Sequence, residues 1–210
     1  MRTPRLNRKF CLGAATLALG GMLLLPVATL AGAQSPNGGG EPDGNCVIDP
    51  ADNDLTVRSL ESQCTDQQIL DLFAAAPTGT APRGTKTITL LPLFQTGGSL
   101  LPYDTARAFT QMQSTLGSGL TFTTGPQGPW VYKDYFWGQD AGGPLQLGSS
   151  SIDGKPAWVI DYSRDFAGIP LSVHNIRQLT PGVWIGRDTG SLGPSPTDPT
   201  KPTGGAFALN

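Results

Sequence analysis

All four tryptophans of this chain, Trp130, Trp137, Trp158 and Trp184, fall in one stretch, residues 130–187, and so does its best-defined turn. Asp153-Gly154 suits the left-handed backbone of a tight hairpin, so it predicts antiparallel strands on either side. The runs WVYKDYFW (130–137), KPAWVIDY (155–162) and GVWIGR (182–187) are rich in aromatic and β-branched residues, which suit a pleated, half-buried surface. A weaker strand over 145–151 leads into the Asp153-Gly154 turn. Strands at 171–179 and 183–187 meet at Thr180-Pro181-Gly182, a tight turn. In 130–137, alternation puts Trp130, Tyr132, Asp134 and Phe136 on one face and Val131, Lys133, Tyr135 and Trp137 on the other. Short strands at regular spacing predict a mainly β fold, an antiparallel barrel or half-barrel.

The approach to that stretch is mixed. Arg2, Arg5, Arg8 and Lys9 precede a long apolar run broken by Gly20-Gly21 and Pro26, and Ala31-Gly32-Ala33 follows. This reads as a signal peptide over residues 1–33, cleaved before Gln34; retention as a membrane anchor is the alternative. Residues 34–64 read as linker and cysteine loop, with QSPNGGGEPDG (34–44) as a flexible linker. Asp49, Asp52, Asn53 and Asp54 form an acidic turn without the alternating spacing of a calcium loop. Thr65-Asp-Gln-Gln68 is a capping box ahead of Ile69, Leu70, Leu72 and Phe73, which predicts a helix over 66–75. TKTITLLPLF (85–94) reads as a strand with Pro92 at an edge or bulge. Asp104 is placed to cap a second short helix reaching about Leu116, and 120–124 reads as a short strand. A single β-rich domain over 65–189 follows, and the Pro/Gly/Ser/Thr-rich residues 190–210 read as a disordered tail dispensable for folding.

Cysteine usage agrees with export. Cys11 lies in the signal, and Cys46 and Cys64 remain as an even pair, so a disulfide is expected. A metal pair lacks supporting ligands, because His174 is the sole histidine; no metal and no cofactor is expected. Four of the 14 basic residues leave with the signal, so 10 face 16 acidic residues, a net charge of −6. That balance argues against nucleic acid or an anionic membrane surface as partner. After cleavage no stable membrane insertion is expected, and the oligomeric state stays open. The location expected is periplasmic or extracellular.

No G-x-S-x-G, H-E-x-x-H or C-x-x-C occurs in the chain. Asp161, His174 and Lys133 are the candidate proton-transfer groups for a catalytic reading. A Ser163–His174–Asp161 grouping and an Asp161/Asp165 carboxylate pair can also be written. The aromatic residues are more informative. A barrel lined by Trp130, Tyr132, Phe136, Trp158, Tyr162 and Trp184 would hold a small apolar or amphipathic ligand. Three functions are therefore carried forward: non-catalytic ligand binding, an enzyme acting on such a ligand inside the barrel, and a structural envelope protein with a filled barrel.

Gly128-Pro129-Trp130 resembles the G-x-W triplet of lipocalins, a family in which a late Arg packs across the Trp. Arg177 is the counterpart here. The chain also resembles uncharacterised bacterial exported proteins of lipocalin-like (calycin-like) type. Their pattern is W-x-G-K-x-F, then S-x-x-D-G-x-P leading to D-Y-S, then R-x-x-x-P-G-x-Y-L-G. The matching stretches are Trp130 to Phe136, Ser150 to Ser163 and Arg177 to Gly186, with Tyr132 in place of Gly and Trp184 in place of Tyr. Neutral Asn175 and Gln178 stand where that group has acidic residues beside the Arg. The resemblance implies a lipocalin-like barrel, an exported setting, and an Arg177 guanidinium stacked over Trp130. It implies no reaction.

Overall fold

The computed structural model describes residues 41–126, 128–162, 172–190 and 202–210. The proposed signal, residues 34–40 of the linker, Ser163, Asp165 and residues 191–201 lie outside the described residues. Among the described residues the chain forms three helices, α1 (Asn53–Ser62), α2 (Asp66–Ala75) and α3 (Tyr103–Ser114). The same described residues form nine strands: β1 (Gly84–Thr96), β2 (Ser99–Leu100), β3 (Gly117–Gly125), β4 (Gly128–Tyr135), β5 (Gly138–Ser149), β6 (Pro156–Asp161), β7 (Val173–Thr180), β8 (Val183–Thr189) and β9 (Gly204–Leu209). Each of the strands from β3 to β9 pairs antiparallel with the next, β1 pairs with β3, and β9 returns to β1. The result is a closed eight-stranded antiparallel barrel with β2 as an extra strand on β1. Closure leaves no unpaired edge within the wall.

Alternation divides the wall's side chains. Leu120 and Phe122, Val131, Leu145, Ile160 and Tyr162, Ile176, Trp184, and Phe207 and Leu209 point inward and form one core. Gly186 is part of that packing, because a Cβ there would sit 2.2 Å from the Phe207 ring. A second core lies outside the wall. Val57 and Leu60 of α1 and Ile69 and Phe73 of α2 cover Leu91, Leu93, Val183, Ile185, Ala206 and Ala208. Each large apolar side chain so buried contributes about 1.5–3 kcal/mol.

The local signals explain most of this. Thr65 accepts from the Gln68 N–H while the Gln68 side chain accepts from the Thr65 N–H, so the capping box fixes α2 where expected. Pro92 lies at a register shift between Leu91 and Phe94, where a missing N–H is tolerated. Gly154 takes φ +70° in the turn between β5 and β6. The disulfide between Cys46 and Cys64 is formed and ties the chain ahead of α1 to the start of α2.

Four expectations need correction. The acidic turn opens a helix: Asp52 caps α1 by accepting from the Leu55 N–H, so 46–60 is not all loop. Asp104 lies inside the first turn of α3 and Pro102 takes the cap position, so α3 has no side-chain cap. Residues 138–143 read from their glycines as a turn, but they continue as β5, and the chain turns earlier, at Phe136 and Trp137. The largest correction concerns the tail. Residues 204–209 form β9, every residue of which is buried, pairing β1 on one side and β8 on the other. Short, small and apolar Gly-Gly-Ala-Phe-Ala-Leu fits between two neighbours that already supply its hydrogen bonds, so Pro-rich flanking composition does not decide its fate.

Candidate functional site

The two ends of the barrel differ. At one end the segment 78–81 lies across the opening. The indole N–H of Trp184 donates to the Thr80 carbonyl at 2.8 Å, and that of Trp158 to the Gly79 carbonyl at 3.3 Å. Gln178 accepts from the Thr80 N–H at 2.8 Å, and its own N–H donates to the Pro77 carbonyl. Ala81 packs into the inner core. Of the residues expected to bind a ligand, Trp158 and Trp184 thus face inward but serve to close this end.

At the other end the core stops short. A cavity of about 250 Å³ is lined by Ile88, Leu90, Leu116, Leu120 and, on its polar side, Lys133, Ser172, His174 and Asp188, with Gly117, Gly119, Asp134, Tyr135 and Gln113 completing it. The fold dictates this set. Lys133 follows Val131 by two residues on β4, His174 precedes Ile176 by two on β7, and Asp188 is four residues beyond Trp184 on β8. Each therefore shares the inward face of its strand. His174 and Asp188 are direct cross-strand partners.

The ionisable groups here are short of water. The Lys133 Nζ lies 4.5 Å from the centroid of the Tyr162 ring and donates to the Ser172 hydroxyl at 3.3 Å. It makes no ion pair of 4.0 Å or less among the described residues. Burial pushes its pKa down to about 8, against a smaller upward pull from the Asp188 charge. His174 is 5% exposed, packed edge-on to Tyr162 (5.0 Å between centroids) and against Phe207 (4.8 Å). Burial, with a lesser contribution from Lys133, holds it well below the usual histidine range, so it is neutral. Its Nδ1 and the Tyr162 hydroxyl are buried without a hydrogen-bond partner among the described residues. Burial raises Tyr162 well above the usual phenol range, with Tyr135 and Asp134 adding to the rise.

Other expected site residues lie elsewhere. Trp130 and Tyr132 sit on the outer face of β4, ring centroids 6.4 Å apart, over Gly142 of β5. Phe136 is 78% exposed at the turn into β5. Asp161 pairs with Val173 one position from Ile160 and His174, so it points outward while His174 points inward. No Asp161–His174 unit forms across that wall.

Arg177 corrects the expected stack. Its neighbour Ile176 faces inward, so Arg177 faces out and is covered by α2 and the β5–β6 turn. Its guanidinium lies 4.5 Å from the Phe73 ring centroid instead of over Trp130. It forms a two-pronged ion pair with Asp153 at 2.6 and 2.7 Å and donates to the Phe73, Lys155 and Pro156 carbonyls. These contacts tie β7 to α2 and to the β5–β6 turn. Burial raises the Asp153 pKa, but the Arg177 hydrogen bond, the Lys155 N–H, the Arg177 charge and Ser150 together hold it below the usual carboxylate range.

Sequence reasoning reached Lys133, His174 and Tyr162 but missed Ser172 and Asp188. Asp188 was readable by carrying the period-two pattern from Trp184 past Gly186. Ser172 carries no such signal. The chain matches no family model, no curated protein and no solved structure in the comparisons made with it.

Proposed function

We propose that this chain is an exported binding protein for a small amphipathic molecule, taken into the open half of the barrel. The observation that carries the reading is the cavity itself: about 250 Å³, walled by Ile88, Leu90 and Leu120, with one buried amine at Lys133. Pockets for small ligands combine a mostly apolar wall with a few convergent polar groups. At about 30 Å³ per heavy atom, the volume a liquid water occupies, that room suits a ligand of about eight heavy atoms. The cavity favours this reading over a filled structural barrel. Export is supported by the signal-like residues 1–33 and by the Cys46–Cys64 disulfide. Among the described residues no helix is long and apolar enough to cross a membrane. A lipocalin-like relationship is supported by the closed antiparallel barrel, although Arg177 does not play the part that family gives its late Arg.

An enzymatic reading has one observation in its favour, since Lys133 and His174, two of the three candidate proton-transfer groups, line the same cavity. The binding reading is tested with an environment-sensitive fluorophore and small displacing ligands. Leu90→Trp, which fills the apolar wall, should abolish uptake while the protein still melts cooperatively. Unchanged uptake in that variant would place binding elsewhere.

A further inference from the structure

Lys133 is the feature of the cavity that simple binding does not require. Its amine lies over the Tyr162 ring and, among the described residues, donates to one hydroxyl, that of Ser172, at 3.3 Å. We propose that Lys133 is a nucleophile that captures small carbonyl compounds, aliphatic or aromatic aldehydes, as a reversible imine inside the barrel. The inference rests on the binding reading and names its ligand class.

The chemistry is balanced without any further reagent. The lone pair of neutral Nζ attacks the carbonyl carbon, and the carbonyl π electrons move to oxygen. One nitrogen proton passes to that oxygen, with the Ser172 hydroxyl placed to relay it, which gives a carbinolamine. The carbinolamine hydroxyl takes a proton from solvent and leaves as water while the nitrogen lone pair forms the C=N bond, and the resulting iminium returns its N–H proton to solvent. Aldehyde and amine become imine and water, and hydrolysis reverses the path. Lysines in apolar pockets are activated in this way because desolvation leaves a larger neutral fraction at working pH. The amine titrates near 8, pushed down chiefly by burial. The titratable groups around it are Tyr135 of β4, Tyr162 after β6, His174 of β7 and Asp188 of β8, while the Asp134 carboxylate of β4 accepts from Thr121 and Gln139 on the outer face. Of these, His174 and Tyr162 are held neutral at pH 7 by burial, and Asp188 favours a cation at Nζ. The Tyr162 face that holds the ammonium would equally hold a protonated imine, which carries the same charge.

The test uses the disulfide-bonded, otherwise unaltered chain with hexanal and cyanoborohydride, followed by peptide mapping. The expected product is one dominant alkylamine adduct, on Lys133, forming with a midpoint near pH 8. At pH 7 it should form more than about tenfold faster than the adduct at Lys155, because burial favours the neutral amine at Lys133 whereas Lys155 is exposed on the surface. 1-Hexanol, which has no carbonyl, should compete. An adduct at Lys133 no faster than at Lys155 overturns the proposal. If 1-hexanol and hexanal both displace the fluorophore but Lys133 is not trapped, binding stands and imine formation falls. If neither displaces it, both readings fall. Mapping on the unaltered sequence makes the result independent of whether Lys133→Met folds; that variant, if folded, should lose the dominant adduct while retaining displacement by 1-hexanol.

Discussion

The closed end of the barrel and the open end are made from the same strands, yet they treat polar atoms in opposite ways. At the closed end both indole N–H groups find carbonyls on 78–81, and Gln178 is bonded through both side-chain and backbone atoms. At the open end a lysine has one hydroxyl, and a histidine nitrogen and a phenol lack partners among the described residues. A buried polar group without a hydrogen bond costs about 1–3 kcal/mol. Among the described residues, the closed end pairs its polar groups more completely than the open end does. The difference teaches where to look: the aromatic residues that dominate the sequence are mostly wall, plug or outer surface, while the site is marked by polar residues placed at inward positions.

The comparison presupposes one continuous wall, and the largest effect comes from breaking it. Deleting residues 202–210 removes β9, which pairs Ile88 to Gln95 on β1 and Trp184 to Arg187 on β8. It also removes Phe207 and Leu209 from the inner core and Ala206 and Ala208 from the outer one. That loss exceeds what the roughly 5–15 kcal/mol holding a typical domain can absorb. The shortened chain should show no cooperative thermal transition and no near-ultraviolet circular dichroism. A truncation to 45–189 that still melts within a few degrees of the full chain would show that β9 is not part of the wall.

This prediction reverses what composition alone suggests, and the reason is physical. Local signals were legible: the Thr65–Gln68 capping box, the Asp153-Gly154 turn and the bulge at Pro92 each act within a few residues, and the isolated cysteine pair spans a sequence separation of 18. The antiparallel barrel was legible too, because alternation and turn spacing persist from β4 to β8. The role of β9 was not. Its six residues have little of the β-branched character that marks a strand, and they are ordered by partners more than 100 residues earlier on β1. Arg177 failed for a related reason. Its place one residue from Ile176 fixes it on the outer face, and the Phe73 ring that receives it belongs to a helix whose docking no local pattern reveals.

The next effect in size separates structural polarity from functional polarity. Asp153→Ala leaves the Arg177 guanidinium, itself 1% exposed, without its carboxylate. Removing one partner of a buried pair costs about 3–5 kcal/mol. Urea titration should show a large drop in midpoint without loss of fluorophore uptake in the protein that remains folded. The pH dependence has a definite sign. The folded-state pKa of Asp153 is lowered, so its contribution is present above the ordinary carboxylate pKa and is lost as pH falls through the lowered one. A variant as stable as the parent would mean that the Arg177 network is incidental.

Lys133→Met acts in the opposite direction. The folded pKa of about 8 lies below the ordinary lysine value of 10.5, so burial disfavours the charged form. The unfolded chain binds the proton more tightly through that interval, and stability therefore rises with pH between about 8 and 10.5. Below 8 the full cost is present. A shift of this size corresponds to a cost on the order of 1–3 kcal/mol once the lost Tyr162 and Ser172 contacts are set against it. The methionine variant should melt higher than the parent at pH 7, and the two should converge toward pH 10. Equal or lower stability at pH 7 would place Lys133 among the satisfied groups and erase the contrast between the ends.

The smallest effect lies on the acid side of the same cavity. His174 is neutral in the fold because burial, and then Lys133, hold its pKa well below 6.5. An unfolded histidine takes up a proton near its ordinary pKa of about 6.5, so the unfolded chain binds more protons once pH drops below that value. The folded state loses stability relative to it as pH falls, by about 1.4 kcal/mol for each unit until the folded pKa is reached. His174→Phe keeps a ring between Tyr162 and Phe207 and cannot take the proton. Its melting temperature should therefore fall less than the parent's between pH 6.5 and 5.5. At the closed end Trp158, Trp184 and Gln178 do not titrate, so Gln178→Glu is the control for a new charge there and Gln178→Met for a neutral change. The Met variant should leave the parent's pH slope intact. If His174→Phe keeps the parent's slope as well, the acid sensitivity does not originate in the cavity, and the polar groups at the open end are better satisfied than their contacts indicate.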